Sequence, residues 1–345
     1  MRSWLRGVRS FLYQEGGLFK NLFEFLFFLY KRNNWMLDFS RFFSSFDRVE
    51  IKKPVFLLGF EKGGLTLVSR TVRRHKDFVS VSGNCKYWAG ADEIQLVLNL
   101  ILPSEFLGRR RALPEKLRRL GIAGNRLYAS DEFISYYRKT KEDVTPEIRE
   151  RFRKIIRWQI NRHAIDKKTA RFIDKSQVFT VKVSFINEIL KDTNPKFILI
   201  TRNPYALAYK FSRTNIKNYV TKIGGTHKQA VEIAAQHWIN SMKCAIQDGQ
   251  EADLLVVRFE DFLQYPEKEL KKICNFIEID FNKDLLPQPN HKLPFGSKGK
   301  DKWYPIRKDV NEKYLNKIAK EEVEIIDKYV GEYARKLGYE KPIIK

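Results

Sequence analysis

Three basic side chains follow predicted strands and could together bind a phosphate-bearing ligand. Lys62 lies in a glycine-rich loop, Phe60–Gly64, directly after the apolar run Val55–Leu58. Lys175 and Arg202 each follow a further apolar strand. Because the carboxyl ends of parallel strands open into one crevice, we expect these three cations to converge there. Lysine offers phosphate a point charge and arginine a planar fork of donors.

The loop around Lys62 is similar to a phosphate-binding loop but lacks the lysine of the kinase type. The kinase pattern is G-x-x-x-x-G-K-[ST], and Gly59, Gly64 and Thr66 fit it. Leu65 occupies the lysine position, which disfavours a magnesium triphosphate. The run after Gly64 predicts a helix, whose first N–H groups and positive dipole end attract anions. The loop therefore favours a phosphate-bearing nucleotide, with an unrelated glycine-rich turn as the alternative.

Apolar runs that alternate with helical patterns predict an α/β fold. We expect a three-layer α/β/α arrangement in which helices cover both faces of a central parallel sheet. Twenty-seven residues separate Lys175 from Arg202, enough for one right-handed crossover, so we expect their strands to be neighbours. A helical stretch from Asp309 to Tyr339 is closed by Gly338. The predicted strands are Val55–Leu58, Phe78–Val81, Arg171–Asp174, Phe197–Thr201 and Leu254–Arg258.

Two regions are predicted to be helical additions to the α/β domain, which we place at residues 51–345. Residues 1–50 form an N-terminal arm, and residues 103–170 form a basic insertion that contains Arg109–Arg111. Within the insertion, Thr145–Glu147 predicts a helix start, with a capping hydroxyl, then proline, then an acidic residue. A long insertion of this kind often covers the ligand crevice of an α/β fold.

The chain is strongly basic, with a formal net charge of +24. This surplus attracts nucleotides, nucleic acid, acidic polysaccharide or an anionic membrane, and net charge alone does not distinguish among these partners. The sequence has no helix-turn-helix, zinc finger or aromatic RNA-binding signature, so nucleic acid is not an expected partner. Cys85, Cys244 and Cys274 are far apart, and neither they nor the histidines have metal-ligand spacing. We therefore expect reduced cysteines, a cytoplasmic protein and no bound metal.

The apolar stretch Phe19–Tyr30 predicts a helix in the N-terminal arm. Lys20 and Glu24 interrupt it, which makes it too short and too charged for a transmembrane helix. No small-residue cleavage site follows, so we do not expect a signal peptide. We expect an amphipathic helix that packs on the main domain. The alternative is that residues 1–35 lie on a membrane surface, which the arginines of the first nine residues would favour.

The loop and the two cationic strand ends resemble those of the sulfotransferases that use 3′-phosphoadenylyl sulfate (PAPS). Their first loop is typically G-x-[PR]-[RK]-S-G-T-T, which here is Gly59–Thr66. Their second motif, a strand that ends in R-[ND]-P, is matched by Arg202–Pro204, and their K-[ST]-P or K-T-H segment by Lys175–Gln177. A later pattern of strand, acidic pair and proline matches Val257–Pro266. The resemblance extends over about residues 55–339.

This resemblance implies that the chain moves a sulfuryl group from PAPS to a hydroxyl or amine acceptor. Lys62 and Lys175 would stabilise the charge on the reacting oxygens, and the scheme requires no metal. We expect a saccharide or a lipid-linked glycan as acceptor, because the basic insertion suits an acidic ligand. The residues implied to bind the donor are Lys62, Gly63, Gly64, Leu65, Thr66 and Leu67 in the loop; Arg202, Lys210 and Ser212 for its 3′-phosphate; and Lys298, Gly299 and Lys300 in a later basic loop.

The base that takes the acceptor's proton differs from that of the family's cytosolic enzymes. Gln177 stands where those enzymes carry a histidine, and glutamine cannot accept a proton. Membrane-associated and polysaccharide-modifying branches use a glutamate from a segment that residues 90–97 resemble, which implies Glu93 as the base. The other reading of Glu93 is a carboxylate that only stabilises a helix N-terminus. Further candidates for the base are Asp92, Asp131 and Glu132.

Two other classes of function stay open from the sequence. One is a nucleotide kinase or NTPase, against which Leu65 at the lysine position argues. The other is a non-catalytic basic protein that binds an anionic membrane or nucleic acid, with steep salt dependence and no donor turnover.

Overall fold

A six-stranded sheet forms the centre of the fold and carries the loop that contains Lys62. The computed structural model describes residues 18–39, 43–44, 46–90, 92–95, 114–122, 127–291 and 304–344. The strands are β1 Val55–Gly59, β2 Phe78–Ser80, β3 Gly83–Asn84, β4 Arg171–Asp174, β5 Lys196–Thr201 and β6 Asp253–Arg258. The five strands predicted from the sequence are confirmed to within a residue at each end, and β3 is additional.

The order of the strands corrects one prediction. The sheet runs β3-β2-β4-β1-β5-β6, and all neighbours are parallel except the hairpin pair β2 and β3. The prediction that the strands before Lys175 and Arg202 are neighbours is wrong, because β1 lies between them. Val55 of β1 pairs with Ile173 on one side and with Lys196 on the other. The two cationic strand ends therefore flank the glycine-rich loop instead of each other.

Helices cover both faces of the sheet, as the three-layer prediction requires. Alternate residues of β1 point to opposite faces. Phe56 and Leu58 join one core cluster, while Val55 and Leu57 join a second. The described helices are α1 Leu18–Leu37, α2 Leu65–Val72, α3 Glu115–Arg119, α4 Ile134–Tyr137, α5 Pro146–His163, α6 Val183–Leu190, α7 Pro204–Ser212, α8 Asn215–Lys222, α9 His227–Asp248, α10 Phe259–Gln264, α11 Pro266–Ile277, α12 Glu312–Leu315 and α13 Lys320–Lys336.

Helix α5 begins where the sequence predicts. The Thr145 hydroxyl accepts a hydrogen bond from the Ile148 amide at 3.2 Å, and Pro146 occupies the first helical position, where no N–H is needed. Ile148 and Phe152 on this helix are buried in the same core cluster as Phe56 of β1. The part of the insertion that contains α5 is therefore packed directly onto the sheet.

The C-terminal stretch forms two helices, α12 and α13, instead of one. Gly338 follows α13 with a φ of 76°, which a side chain would strain. The Gly338 amide donates to the Arg335 carbonyl at 2.9 Å, and the Tyr339 amide donates to the Ala334 carbonyl at 2.9 Å. These two bonds satisfy carbonyls of the last turn in a Schellman arrangement. The predicted closing role of Gly338 is confirmed.

The N-terminal arm contains the predicted helix, α1, with 20 residues. Its C-terminal half contacts the main domain: the Asn34 amide nitrogen lies 2.7 Å from His163 Nε2, and Arg162 donates to the Tyr30 hydroxyl at 2.9 Å. Just beyond the helix, Asp38 accepts a hydrogen bond from the Trp158 indole at 3.2 Å. Among the described residues, no helix is long and apolar enough to cross a membrane.

Candidate functional site

The glycine-rich loop leaves the buried strand β1 through positions that only glycine fits. A Cβ atom on Gly59 would lie 2.5 Å from the Ile200 carbonyl oxygen of the neighbouring strand. Gly64 has a φ of 104°, and a Cβ there would lie 2.2 Å from the Phe259 ring. Lys62 itself has a φ of 64°, a left-handed conformation that a residue with a side chain rarely adopts. The loop is thus held in a tight, strained turn above the end of the sheet.

Helix α2 starts directly after this turn and supplies backbone donors. The Leu67 and Val68 N–H groups donate to the Gly64 carbonyl at 2.9 and 3.4 Å, whereas the Leu65 and Thr66 N–H groups precede the first bond of the helix and point toward the loop. They and the positive end of the helix dipole favour an anion in front of the loop. The Leu65 side chain is buried in the core cluster below the loop. A residue at this position therefore points away from the anion site, which removes the lysine role of a kinase-type loop.

A cavity of about 350 Å³ lies in front of the loop. It opens beside the carboxyl ends of β1 and β5, which is where the sequence predicts a ligand crevice. The described residues that line it are Glu61, Lys62, Gly64, Leu65, Thr66, Leu67, Gln177, Arg202, Lys210, Phe259, Leu263, Ile306, Arg307, Val310, Lys313 and Tyr314.

Arg202 joins the loop to the segment before α12. Its guanidinium donates to the Lys62 carbonyl at 2.8 Å, to the Asn311 side-chain oxygen at 2.8 Å and to the Val310 carbonyl at 3.1 Å. It also lies over the Phe259 ring, 5.4 Å from the ring centroid. Among the described residues, these bonds use three of the five guanidinium N–H groups. Arg202 therefore fixes one wall of the cavity and retains N–H groups for a ligand.

Lys62 and Lys210 bring positive charge to the cavity from two sides. Lys62 Nζ donates to the Thr214 hydroxyl at 2.9 Å, so its side chain extends from the loop toward the end of α7. Lys210, two turns along α7, lies over the Tyr314 ring at 5.3 Å, and Lys313 lies over the same ring at 5.1 Å. Burial alone would raise the pKa of Tyr314, but Lys210 and Lys313 hold it below its ordinary value. The phenol thus senses a positive field, which is what an anionic ligand requires.

Other residues predicted to bind the donor differ in their position. Ser212 is buried, donates to the Tyr209 carbonyl at 3.0 Å and does not line this cavity. Lys210 is the residue of α7 that reaches the cavity instead. Lys298, Gly299 and Lys300 lie outside the described residues.

Lys175 points toward carboxylates and not into the cavity. Its Nζ lies 2.8 Å from Glu93 Oε1 and 3.2 Å from Asp92 Oδ1. Burial disfavours a charged lysine, but Asp92 and Glu93 raise the pKa of Lys175 well above its ordinary value. Asp92 is also ion-paired with Arg73, and all three of Asp92, Arg73 and Lys175 are buried. Lys175 is therefore a charged group inside a buried network, placed next to Glu93.

Glu93 is the carboxylate of this network that reaches the surface. Its side chain is 19% exposed, whereas that of Asp92 is 2% exposed. The second carboxylate oxygen of Glu93 accepts a hydrogen bond from the Gln95 amide at 2.9 Å. Each oxygen keeps a free lone pair, since a carboxylate oxygen can accept two hydrogen bonds. Glu93 can therefore accept a proton from a ligand, while Asp92 is enclosed between cations.

The segment that carries Glu93 is fastened to the end of β4. The Ile94 amide donates to Asp174 Oδ1 at 2.6 Å, and the Gln95 amide donates to the Ser176 hydroxyl at 3.0 Å. Burial raises the pKa of Asp174 to about 6. Because β4 is paired with β1, these bonds hold Glu93 beside the strand that leads to the glycine-rich loop. Gln177, two residues after Lys175, lines the cavity.

The two further carboxylates considered as bases have local partners in the insertion. Asp131 accepts a hydrogen bond from the Asn240 amide at 2.7 Å. Glu132 accepts from the Tyr219 hydroxyl and pairs with Lys116. Neither lines the cavity. Across the described part of the chain, no group of three or more His, Cys, Asp or Glu residues is arranged to hold a metal ion.

Comparison with known proteins assigns this arrangement to a family. The model of the Sulfotransferase family matches residues 54–283, more than half of the chain, and the match contains the glycine-rich loop, Glu93, Lys175 and Arg202. The chain belongs to the sulfotransferase family.

Individual relatives of this family member are distant. Sulfotransferase 1B1 of Mus musculus is 26% identical over 106 residues, which is 29% of this chain and 36% of the mouse protein. Sulfotransferase 1B1 of Canis lupus familiaris is 24% identical over 110 residues, which is 30% of this chain and 37% of the dog protein. The matched region thus spans little more than a third of the length of these curated relatives.

Solved structures of sulfotransferases have the same fold. The sulfotransferase domain from the curacin biosynthetic pathway superposes with a TM-score of 0.51 at 18% identity, and covers 85% of this chain and 100% of its own. Sulfotransferase STF9 from Mycobacterium avium superposes with a TM-score of 0.50 at 11% identity, and covers 90% of this chain and 82% of its own. The α/β fold predicted from the sequence is therefore confirmed.

Sequence reasoning missed several residues of the cavity. Arg307, Lys313 and Tyr314 line it from the segment around α12, which belongs to none of the motifs. Arg73, which neutralises Asp92, lies at the end of α2 without any pattern that marks it. The distances from these residues to their partners are set by the packing of segments that are remote in sequence. No local signal could have found them.

Proposed function

We propose that this sulfotransferase moves the sulfuryl group of PAPS to a hydroxyl or amine acceptor, with Glu93 as the base. The observation that carries the proposal is the convergence of the α2 N–H groups, Lys62, Lys210 and Lys313 on one cavity. Such a set of donors suits a ligand with phosphate groups at two points. PAPS carries phosphate at both the 5′ and the 3′ positions of its ribose.

The two phosphate positions have separate supports in the cavity. The 5′-phosphosulfate would lie on the backbone N–H groups of Gly64, Leu65 and Thr66 and against Lys62. The predicted donors Gly63 and Leu67 are used within the turn, since their N–H groups donate to the Phe60 and Gly64 carbonyls at 2.9 Å each. The 3′-phosphate would lie near Lys210 and Lys313, which share the Tyr314 ring, with the remaining N–H groups of Arg202 beside them. Lys298, Gly299 and Lys300 stay predicted ligands of this phosphate.

The reaction needs one bond to form and one to break at sulfur. The acceptor oxygen or nitrogen attacks sulfur in line, and the bond from sulfur to the bridging oxygen of the donor breaks. The electron pair of that bond stays on the 5′-phosphate of the leaving nucleotide, where Lys62 stabilises the added charge. The acceptor's proton passes to the Glu93 carboxylate. No redox change or further reactant is required.

Lys175 has a different task in this scheme from the one that the family resemblance implies. Its ammonium is bonded to Glu93 and Asp92 and does not line the donor cavity. We therefore assign it to positioning the Glu93 carboxylate, with Gln95 on the other oxygen. A base held from both oxygens has a fixed orientation toward the acceptor.

The acceptor is proposed from charge. A chain with a net charge of +24 attracts an anionic acceptor, such as an acidic saccharide or a glycan on an anionic lipid. Turnover of such an acceptor should fall as ionic strength rises, because screening weakens the attraction. Preference for a neutral acceptor without salt dependence would contradict this part of the proposal.

Calorimetry of 3′-phosphoadenosine 5′-phosphate binding tests the donor site. Lys62→Ala should weaken binding at least tenfold, since a hydrogen bond to a charged group contributes about 1.5–3 kcal/mol. Lys52→Ala is the matched control, because Lys52 is an exposed lysine paired with Glu50 and lies outside the cavity. A folded wild type that does not bind the nucleotide would refute the proposed donor.

Glu93→Gln tests the base separately from the donor site. The amide keeps the shape of the side chain but cannot accept the proton, so kcat should fall about 10²–10⁴-fold. Nucleotide affinity should be unchanged, because Glu93 does not line the donor cavity. A Glu93→Gln enzyme with wild-type kcat would show that another group is the base.

A further inference from the structure

One face of α1 carries a strip of apolar residues that are half exposed or more. Phe19, Leu22, Phe23 and Leu26 follow one another at intervals of three and four residues, which places them on one side of the helix. Each exposes half or more of its surface, between 50% and 55%. Phe25 beside them is 55% exposed. We call this set of five residues the apolar strip.

Further exposed apolar residues lie at the last position of α1 and just after the helix. Leu37 is 57% exposed, and Phe39 and Phe43 expose 71% and 88% of their surfaces. Tyr87, on the turn after β3, is also exposed and lies 6.3 Å from Phe27 of α1, measured between ring centroids. Phe19 and Leu37 lie near opposite ends of a helix that is about 30 Å long, so the exposed apolar residues extend along most of its length.

The contacts of α1 with the main domain leave this strip outward. The hydrogen bonds of Tyr30 and Asn34 lie in the C-terminal half of the helix and join it to the end of α5. Between the parts of the chain that the structure describes, these hydrogen bonds thus hold the C-terminal half of α1 on the main domain, as expected from the sequence. Exposed aromatic residues in such numbers mark an interaction surface more often than a solvated one.

The charge around the strip selects the partner. Lys31 lies 5.5 Å from the centroid of the Phe27 ring, Arg162 donates to the Tyr30 hydroxyl, and Lys86, next to Tyr87, is exposed. In the sequence, residues 1–17 carry three arginines and one acidic residue, Glu15. A second copy of this chain would bring the same cations and another +24 of net charge against the strip, which repulsion opposes. An anionic lipid surface complements both the charge and the apolar strip.

We propose that α1 docks this protein on the surface of an anionic membrane. The apolar strip, with Phe39 and Phe43, enters the boundary between headgroups and acyl chains, and the surrounding cations contact lipid phosphates. The helix lies in the membrane plane and does not cross it, in keeping with its mixed hydropathy. This inference concerns a binding surface and does not depend on the identity of the donor or the base.

Vesicle co-sedimentation of the full chain tests the docking. Wild type should sediment with vesicles of phosphatidylcholine that contain about 30% phosphatidylserine, and much less with phosphatidylcholine alone. Raising salt from about 0.1 M to about 1 M should weaken the binding, because the Debye length falls from about 10 Å to about 3 Å. The triple variant Phe19→Ser, Phe23→Ser, Leu26→Ser should lose tenfold or more in vesicle affinity.

A matched control removes three exposed apolar side chains elsewhere. Ile223→Ser, Tyr265→Ser and Ile343→Ser change residues that are 40%, 56% and 93% exposed and lie outside the arm. This variant should bind vesicles as wild type does. Both variants should keep the wild-type melting temperature and nucleotide affinity, which shows that loss of docking is not loss of folding.

Two results would overturn the proposal. One is a folded wild type that does not sediment with anionic vesicles at low salt. The other is analytical ultracentrifugation that finds a dimer which the arm variant dissociates, with no vesicle binding by either protein. The second result would assign the apolar strip to contact between two copies of the chain.

Discussion

Replacement of Asp92 by asparagine should destabilise the whole protein, because Asp92 is the anion between two buried cations. Arg73 pairs with one carboxylate oxygen, and Lys175 lies 3.2 Å from the other. The side chains of all three are at most 5% exposed. Although burial opposes ionisation, Lys175, Arg73 and Arg70 hold the pKa of Asp92 below its ordinary value. Asparagine keeps the shape but removes the carboxylate charge that lies between the two buried cations.

The size of the effect follows from this geometry. At 3.2 Å and an effective dielectric constant of about 20, the attraction between Asp92 and Lys175 is about 5 kcal/mol. Part of this lost attraction is offset, because the neutral asparagine avoids the cost of burying a charged carboxylate. Loss of one partner from a buried pair typically costs about 3–5 kcal/mol. We expect Asp92→Asn to lower the free energy of unfolding by this amount.

Urea denaturation followed by circular dichroism measures the change. With an m-value of about 3 kcal/mol/M, the midpoint should fall by about 1–1.7 M. Glu267→Gln is the control, because Glu267 forms an exposed pair with Lys271 at 2.9 Å and its loss should leave the midpoint unchanged. The higher unfolding free energy of the wild type relative to Asp92→Asn should be present above about pH 4. It should disappear as pH falls through the lowered pKa of Asp92.

A midpoint shift of Asp92→Asn no larger than that of Glu267→Gln would refute this reasoning. It would mean that water or rearrangement neutralises Arg73 and Lys175 without Asp92. Asp92→Asn should also reduce kcat. Lys175 would lose its ion pair with Asp92, which fixes the ammonium group beside Glu93. Nucleotide affinity should stay at the wild-type value, because none of the three buried residues lines the donor cavity.

Three further predictions test the loop, the phosphate site and the pH dependence. Gly64→Ala should strongly lower the melting temperature and the nucleotide affinity, since the alanine Cβ would lie 2.2 Å from the Phe259 ring. Gly224→Ala is the control: Gly224 has a φ of 70° and a Cβ there would meet no atom within 4 Å, so the unfolding free energy should fall by only about 1 kcal/mol. In calorimetry, Lys210→Ala should weaken nucleotide binding about tenfold; unchanged affinity would remove this residue from the 3′-phosphate site. Because burial raises the pKa of Asp174 to about 6, the folded protein binds an extra proton between about pH 4 and 6, so wild-type stability should fall as pH rises through that window. Urea midpoints of Asp174→Asn should lack this decline, and a decline equal to that of the wild type would contradict the assignment.

Local features of this protein could be predicted because their causes are local. The start of α5 at Pro146 depends on a hydroxyl and an amide three residues apart, and the end of α13 depends on Gly338. The glycine-rich loop could be located because an apolar run, glycines and a helix follow one another directly. The five predicted strands were found for the same reason, since buried strands in parallel sheets are continuous apolar runs.

The order of the strands could not be read from chain separation. The distance of 27 residues between Lys175 and Arg202 permits adjacent strands, yet β1 pairs with both β4 and β5. The packing of side chains on both faces of the sheet decides which strand lies between β4 and β5. The error left the predicted crevice intact, because all three strand ends still open at one edge.

The sequence by itself determined the family, the loop and the set of charged residues from which a donor site could be built. Tertiary structure decided how each of those charges is used. Lys210 and Lys313 line the donor cavity. Lys175 instead pairs with carboxylates about 80 residues away in the sequence, and Arg202 donates a hydrogen bond to Asn311. A buried cationic side chain must pair with an anion or a carbonyl, because an unpaired buried charge is unfavourable. Those partners come from parts of the chain that only folding brings together.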